Sequence, residues 1–236
     1  IALMNDVIDS SVIELEKEKI IRAISESKKR PDSLLDSSIS EKLFSGTSFS
    51  HQSFGNIDSV VKINKKDILQ HRNRILNFND IEINIVGDIS SKDSRRIINL
   101  LTNKFSKSEN ISSDKFDMTA VNYHSEFEST QSHIAVIIPT ISRTHPDYHN
   151  LLVANYIFGG SGFGSWLMEE IRQKRGLSYS VFSYLSTIQD KGYLKISLQT
   201  KNENIKLAKN IVKVPNNDFF CLKIIQFFEL KLLPIK

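Results

Sequence analysis

The stretch FGGSGFGSWLMEEIRQKRGLSYSV, Phe158–Val181, decides the reading of this chain. Four glycines, Gly159, Gly160, Gly162 and Gly164, fall within six residues. By themselves they read as a helix C-cap followed by a tight turn. A short helix, GSWLMEEIRQKRG, follows, with Gly176 just past its end. The chain then enters LSYSVFSYLSTIQD and GYLKISLQT, two strands joined around Asp190–Gly192 by a hairpin signal. Upstream, HPDYHNLLVANYIFGG is a helix closed by glycines, and HIAVIIPT (His133–Thr140) is an apolar strand. A last helix begins near Asn204.

Further outward the pattern is helical. From Ser11 to Arg30 the residues Ile13, Ile20, Ile21 and Ile24 share a stripe, with Glu14, Lys17, Glu18 and Lys28 elsewhere. Pro31 suits the first turn of a second helix through Ser33–Phe44. Ser45–Gly55, rich in Ser, Gly and Phe, reads as a loop. A short strand-like piece follows from Asn56, and Asn64 caps a helix across Lys65–Leu76. Ile81–Ile89, IEINIVGDI, reads as a strand, and Ser90 or Ser91 caps the helix running to about Phe105. Residues 107–120 are polar and aperiodic and form the best linker. The tail from Val214 is dense in Phe, Leu and Ile but broken by Lys223, Glu229 and Lys231, too interrupted for a membrane span. Its abrupt change of pattern suggests a tail foreign to the fold; an ordinary buried terminal helix is the alternative.

Composition sets outer bounds. At 236 residues, 40% apolar and 25% charged, the chain can build a sizeable core. The net charge of +4 is spread among acids with no aromatic-rich basic stripe, which argues against nucleic acid. One cysteine, Cys221, excludes an internal disulfide and any multi-cysteine zinc site. His145 and His149 have H-x-x-x-H spacing, but His145 precedes Pro146 at a helix entrance, so capping and surface roles are the reading preferred. His51, His71, His124 and His133 are isolated.

Arg172, Gly176, Leu177 and Tyr179 spell R-x-x-x-G-L-x-Y. With HPDYHNLLVANYIFGG before it and NIDSVVKINKKDILQHRNRILNFNDIEINIVGDIS earlier, this resembles the insulinase-like metallopeptidases, which include pitrilysin and the mitochondrial processing peptidase. The resemblance covers Ile13–Val212. It implies an α+β fold of two homologous domains, each a mixed, mainly antiparallel sheet with helices packed on one face. Residues 1–106 would be the C-terminal part of the first domain, 107–120 a linker, 121–213 the N-terminal part of the second, and 214–236 an atypical tail. The chain begins at Ile1 and is read as a fragment or processed product.

In that family the first domain carries H-x-x-E-H and a downstream Glu, three ligands for a zinc that activates water. No H-x-x-E-H occurs here, because it lay upstream or never existed. The resemblance sets the downstream ligand position at Ala23, which has no lone pair to offer. Glu26 stands about 60° around the helix and is a poor substitute. The implied protein is therefore a subunit or fragment without zinc, with zinc in an insulinase-like sister subunit and an extended peptide as substrate.

On pattern alone Arg172 is a solvated helix residue and Tyr179 a strand-packing aromatic. The resemblance implies that both reach a partner's zinc site and steady the substrate carbonyl. It also implies substrate contact by Gly159, Gly160, Gly162 and Gly164, and a location in the bacterial periplasm or cell envelope, or in the mitochondrial matrix. The rival readings are a structural core subunit of a larger complex, like those of the respiratory bc1 complex, and a degraded gene product. An opening strand and helix missing from the first domain would leave a sheet edge open and the chain poorly soluble alone.

Overall fold

The computed structural model describes residues 8–76, 82–103, 118 and 122–212. The expected tail at 214–236 lies outside them, as does the expected linker apart from Met118. The chain falls into two compact units, Ile1–Val121 and Asn122–Lys236.

Among its described residues the first unit is built from helices and turns. Helix α1 (Ser10–Ser27) starts where the Asp9 carboxylate accepts from the Ser11 N–H at 2.9 Å, and it buries Ile13 and Ile24. Helix α2 (Pro31–Leu43) carries its proline at the first position, where no N–H is needed. Helix α3 (Ile57–Lys62) replaces the expected strand-like piece. A capping box decides this: the Asn56 side chain accepts from the Ser59 N–H, the Ser59 hydroxyl accepts from the Asn56 N–H, and Val60 is buried. Helix α4 (Lys65–Ile75) is capped by Asn64, as its sequence foretells, and the Asp67 carboxylate accepts from the Asn64 N–H in return. Helix α5 (Ser91–Thr102) begins with Ser90 accepting from the Asp93 N–H at 3.1 Å.

The strand expected at Ile81–Ile89 is a correction. Its described part, from Glu82 onward, makes no ladder, and Val86 is 99% exposed. A strand exists only through a neighbour's hydrogen bonds, and the first unit's described residues contain no other extended segment to supply them.

The second unit holds the sheet. Strands β1 (Gln131–Thr140), β2 (Ser178–Ile188) and β3 (Lys191–Lys201) lie in the order β1-β3-β2, antiparallel throughout. The pairs Ile134–Leu198, Val136–Ile196 and Ile138–Leu194 put these residues of β1 and β3 on one face. From β2, Val181, Ser183 and Leu185 join the same face opposite Leu198, Ile196 and Leu194. Helix α6 (Tyr148–Asn155), a helical segment from Trp166 to Gln173, and α7 (Ile205–Val212) accompany the sheet. Leu167, Met168, Ile171, Ala208 and Val212 from the last two complete the core with the strand residues. A mixed α+β architecture with a small antiparallel sheet results.

The hairpin turn is tighter than expected. Ile188 pairs with Lys191, leaving Gln189 and Asp190 as the two loop residues. Gln189 takes the left-handed conformation at φ 55°. Gly192 is instead already inside β3, opposite Thr140, where a Cβ would meet the Ile141 carbonyl oxygen at 2.1 Å. At the end of the Trp166–Gln173 helix the Glu170 carboxylate accepts from Lys174 and Arg175, with only 15% of its side chain exposed. Those two hydrogen bonds hold its pKa below the ordinary 4.5.

Two outcomes follow from this packing. Gly192→Ala, lacking room against a backbone oxygen, is expected to lower stability by about 2 kcal/mol or more, read from the urea midpoint of the intact chain; an unchanged midpoint would contradict the close approach. Because its folded pKa is lowered, Glu170 stabilises the chain above 4.5, and that contribution is lost as pH falls through the lower value. Glu170→Gln should therefore melt earlier than the unaltered chain at neutral pH, with the two curves converging in acid. A gap that stays constant into acid would remove the ion pairs as its cause.

Candidate functional site

The R-x-x-x-G-L-x-Y spacing has a local physical reason at each position. Met168–Gln173 is a π-helical turn, in which the Lys174 N–H reaches back to the Glu169 carbonyl at 2.9 Å. Leu167 and Ile171 from this helix are fully buried, while Arg172 is half-buried. Gly176 then adopts φ +60°, a left-handed conformation that reverses the chain without a Cβ penalty. The N–H groups of Gly176 and Leu177 donate to the Arg172 and Ile171 carbonyls at 3.0 and 2.9 Å. Leu177 drops into the core, which pins the reversal.

Tyr179 depends on an irregularity. Ser178 pairs with Thr200 and Val181 with Leu198, so β2 spends three steps where β3 spends two. That one-residue bulge changes the side-chain alternation. In a regular strand Tyr179, two residues before Val181, would point into the core with it. With the bulge it is 76% exposed. The Ser178 hydroxyl donates to the Ser180 carbonyl, and the buried Thr200 hydroxyl donates to the Leu177 carbonyl, each at 2.6 Å. These bonds occupy backbone acceptors where the ladder is irregular.

The two residues named from the sequence are together. The Arg172 guanidinium carbon lies 4.5 Å from the centre of the Tyr179 ring. Sequence reading missed a third member, Phe163, whose ring centre is 4.7 Å from the same carbon. A large aromatic set between two glycines was the signal that could have found it.

The four glycines serve different ends. Gly159 is buried: a Cβ there would meet the Ser183 hydroxyl at 2.3 Å and Leu167 at 2.7 Å, so it lets the end of the α6 helix press on β2. The adjoining buried pair, with the Ser183 hydroxyl donating to the Asn155 side-chain oxygen at 2.7 Å, ties the same two elements. Gly160 sits 3.0 Å from the Asn155 amide nitrogen by the same measure. Gly162, at φ +66°, opens the turn Gly162–Gly164, and buried Ser165 closes it by donating its hydroxyl to the Gly162 carbonyl at 2.7 Å. Gly160, Gly162 and Gly164 are exposed.

Zinc does not fit the residues that the resemblance points to. Ala23 on α1 offers no donor, and the Glu26 carboxylate accepts from Lys29 at 2.7 Å. Among the described residues no three of His, Cys, Asp or Glu are grouped to hold a metal ion. His145 lies in the turn before α6, where its Nδ1 accepts from the Asp147 N–H at 3.1 Å, and His149 lies at the second position of that helix. No described helix is long and apolar enough to cross a membrane. In the first unit, an open groove follows α5 past Lys92, Arg95, Arg96 and Asn99, none of them singled out by the sequence.

A family model described as "Peptidase M16 inactive domain" matches residues 62–214. A Helicobacter pylori protein described as a non-peptidase homolog, YmxG, is 25% identical over 210 residues, covering 86% of this chain and 48% of that protein. The Bacillus subtilis protein described as the uncharacterized zinc protease YmxG is 22% identical over 188 residues, covering 80% and 46%. Among solved structures, a peptidase M16 inactive domain from Pseudomonas fluorescens superposes with a TM-score of 0.79 at 25% identity, covering 97% of this chain and 53% of that one. The chain thus spans about half the length of the curated relatives it matches. With 153 of its residues inside the family model (62–214 inclusive), this chain belongs to the Peptidase M16 inactive domain family.

Proposed function

We propose that this chain is the zinc-less wall of an insulinase-like peptidase pair, working opposite a sister subunit that carries H-x-x-E-H. The observation that supports it most is the juxtaposition of Arg172 with an outward-facing Tyr179. The sister's zinc would supply the activated water. This chain's residues would bind and orient the peptide. Arg172 brings a permanent charge and several fixed donors, and Tyr179 a neutral hydroxyl donor. Both are suited to a carbonyl oxygen that gains negative charge as it is attacked. The exposed glycines Gly160, Gly162 and Gly164 let a peptide backbone approach closely. An extended segment bound by adding to a sheet edge suits a substrate with no fold of its own. In this reading the two units are the adjoining parts of two homologous domains, and the pair is a heterodimer in a bacterial envelope or a mitochondrial matrix.

A second reading, an interaction subunit without peptidase activity, has one observation in its favour: the Helicobacter pylori relative is described as a non-peptidase homolog. Co-purification separates the two, since an H-x-x-E-H sister supports the first and a membrane complex without one supports the second.

The catalytic test pairs the chain with an H-x-x-E-H sister and compares it with Tyr179→Phe. Loss of one donor to a developing oxyanion is expected to lower kcat by about tenfold or more, with melting unchanged. Equal turnover by the two would remove Tyr179 from the reaction.

A further inference from the structure

Phe163 is an aromatic that packing does not require. It is 67% exposed at the tip of the Gly162–Gly164 turn, and its ring lies over a guanidinium. We propose that Phe163 is a positioning residue: it clasps Arg172 together with Tyr179 and so fixes the guanidinium with its N–H edge free to grip a carbonyl or carboxylate oxygen of an extended peptide. The choice of ligand rests on the peptidase-wall reading; the clasp itself does not.

Four observations carry it. The guanidinium carbon is close to both ring centres, at 4.7 Å for Phe163 and 4.5 Å for Tyr179. Neither ring is paired with another aromatic among the described residues, so each has the guanidinium as its polar neighbour. A guanidinium held against aromatic faces keeps its in-plane donors available. Among the described residues, the Arg172 side chain has no hydrogen bond or ion pair. Its neighbours differ: Lys174 is held by Glu169 and Glu170, and Arg175 by Glu170. Arg172 is thus the one cation of this helix end left without a carboxylate among the described residues.

The loop is built to hold the ring there. Gly162 supplies the left-handed step, Ser165 closes the turn through the Gly162 carbonyl, and the Gln173 amide makes a long contact of 3.5 Å to the Phe163 carbonyl. Gln173 adjoins Arg172, so the segment that presents the ring is tethered beside the side chain the ring covers. A flexible arginine would otherwise lose considerable rotamer freedom on binding. The clasp removes that freedom beforehand.

The test uses the intact chain with Phe163→Leu, which keeps bulk but loses the π face, and Phe163→Tyr, which keeps both. In a spectrum of arginine-labelled chain, with Arg172 assigned through Arg172→Lys, ring currents should set the Arg172 Nε–H apart from other arginines. That displacement should persist in Phe163→Tyr and vanish in Phe163→Leu. Binding of a short, unstructured fluorescein-labelled peptide, followed by anisotropy, should weaken roughly threefold in Phe163→Leu, be restored in Phe163→Tyr, and show no further loss when Phe163→Leu is added to Arg172→Lys. An Arg172 resonance unmoved by Phe163→Leu overturns the clasp. A resonance that moves as expected in a chain that binds no peptide upholds the clasp and sinks the peptidase-wall reading instead.

Discussion

One extra residue in the first turns of β2 governs the candidate site. A strand shows its side chains alternately to two faces, so the distance from Tyr179 to Val181 consigns both to the core unless the count is broken. The bulge between Ser178 and Val181 breaks it. Everything on the site side of the sheet depends on that offset: the exposed hydroxyl, the ring face turned to Arg172, and the convergence of the helix end with the strand. The bulge in turn leans on Gly176, because only a left-handed residue there brings the chain from the helix into β2 within two residues.

The chemistry open to the described residues follows from their donors. A hydrolytic zinc site requires several ligands with lone pairs converging on one point. Ala23 has none, and the side chain of Glu26 is already engaged with Lys29. What the second unit brings together instead is the Arg172 cation, the Tyr179 phenol and a glycine turn, groups suited to binding or orienting a ligand. That grouping is the basis of the wall role proposed above, and the chain belongs to a family described as inactive domains.

Much of the fold was legible because its signals are local. Asn64 and Ser90 as caps, Pro31 at a helix start and Gly176 at a helix end each act within a few residues, and each stands where the sequence put it. The Arg172–Tyr179 pairing was legible only through resemblance, since spacing alone says nothing of the face a bulge selects. Where sequence reading failed, the deciding term was not local. Residues from Glu82 to Ile89 have strand composition, yet pairing needs a partner that the sequence of the segment cannot specify. Asn56–Ile63 is the exception: two adjacent valines favour strands, but a local device, the Asn56–Ser59 capping box, together with burial of Val60, outweighed that preference. Gly192 looked like a turn residue and is a close-approach residue, a distinction set by the Ile141 carbonyl on another strand end. Phe163 was hidden among glycines whose plain reading as a turn was correct but incomplete.

The most direct measurement is a set of nuclear Overhauser contacts on the intact chain around Tyr179. The expected result is contact between the Tyr179 ring protons and the Arg172 side chain, alongside backbone contacts that pair Ser178 with Thr200 and Val181 with Leu198. Contacts from the Tyr179 ring to Leu198 and Ile171 in the core, with none to Arg172, would mean that the strand runs without its extra residue and that the site as described does not form.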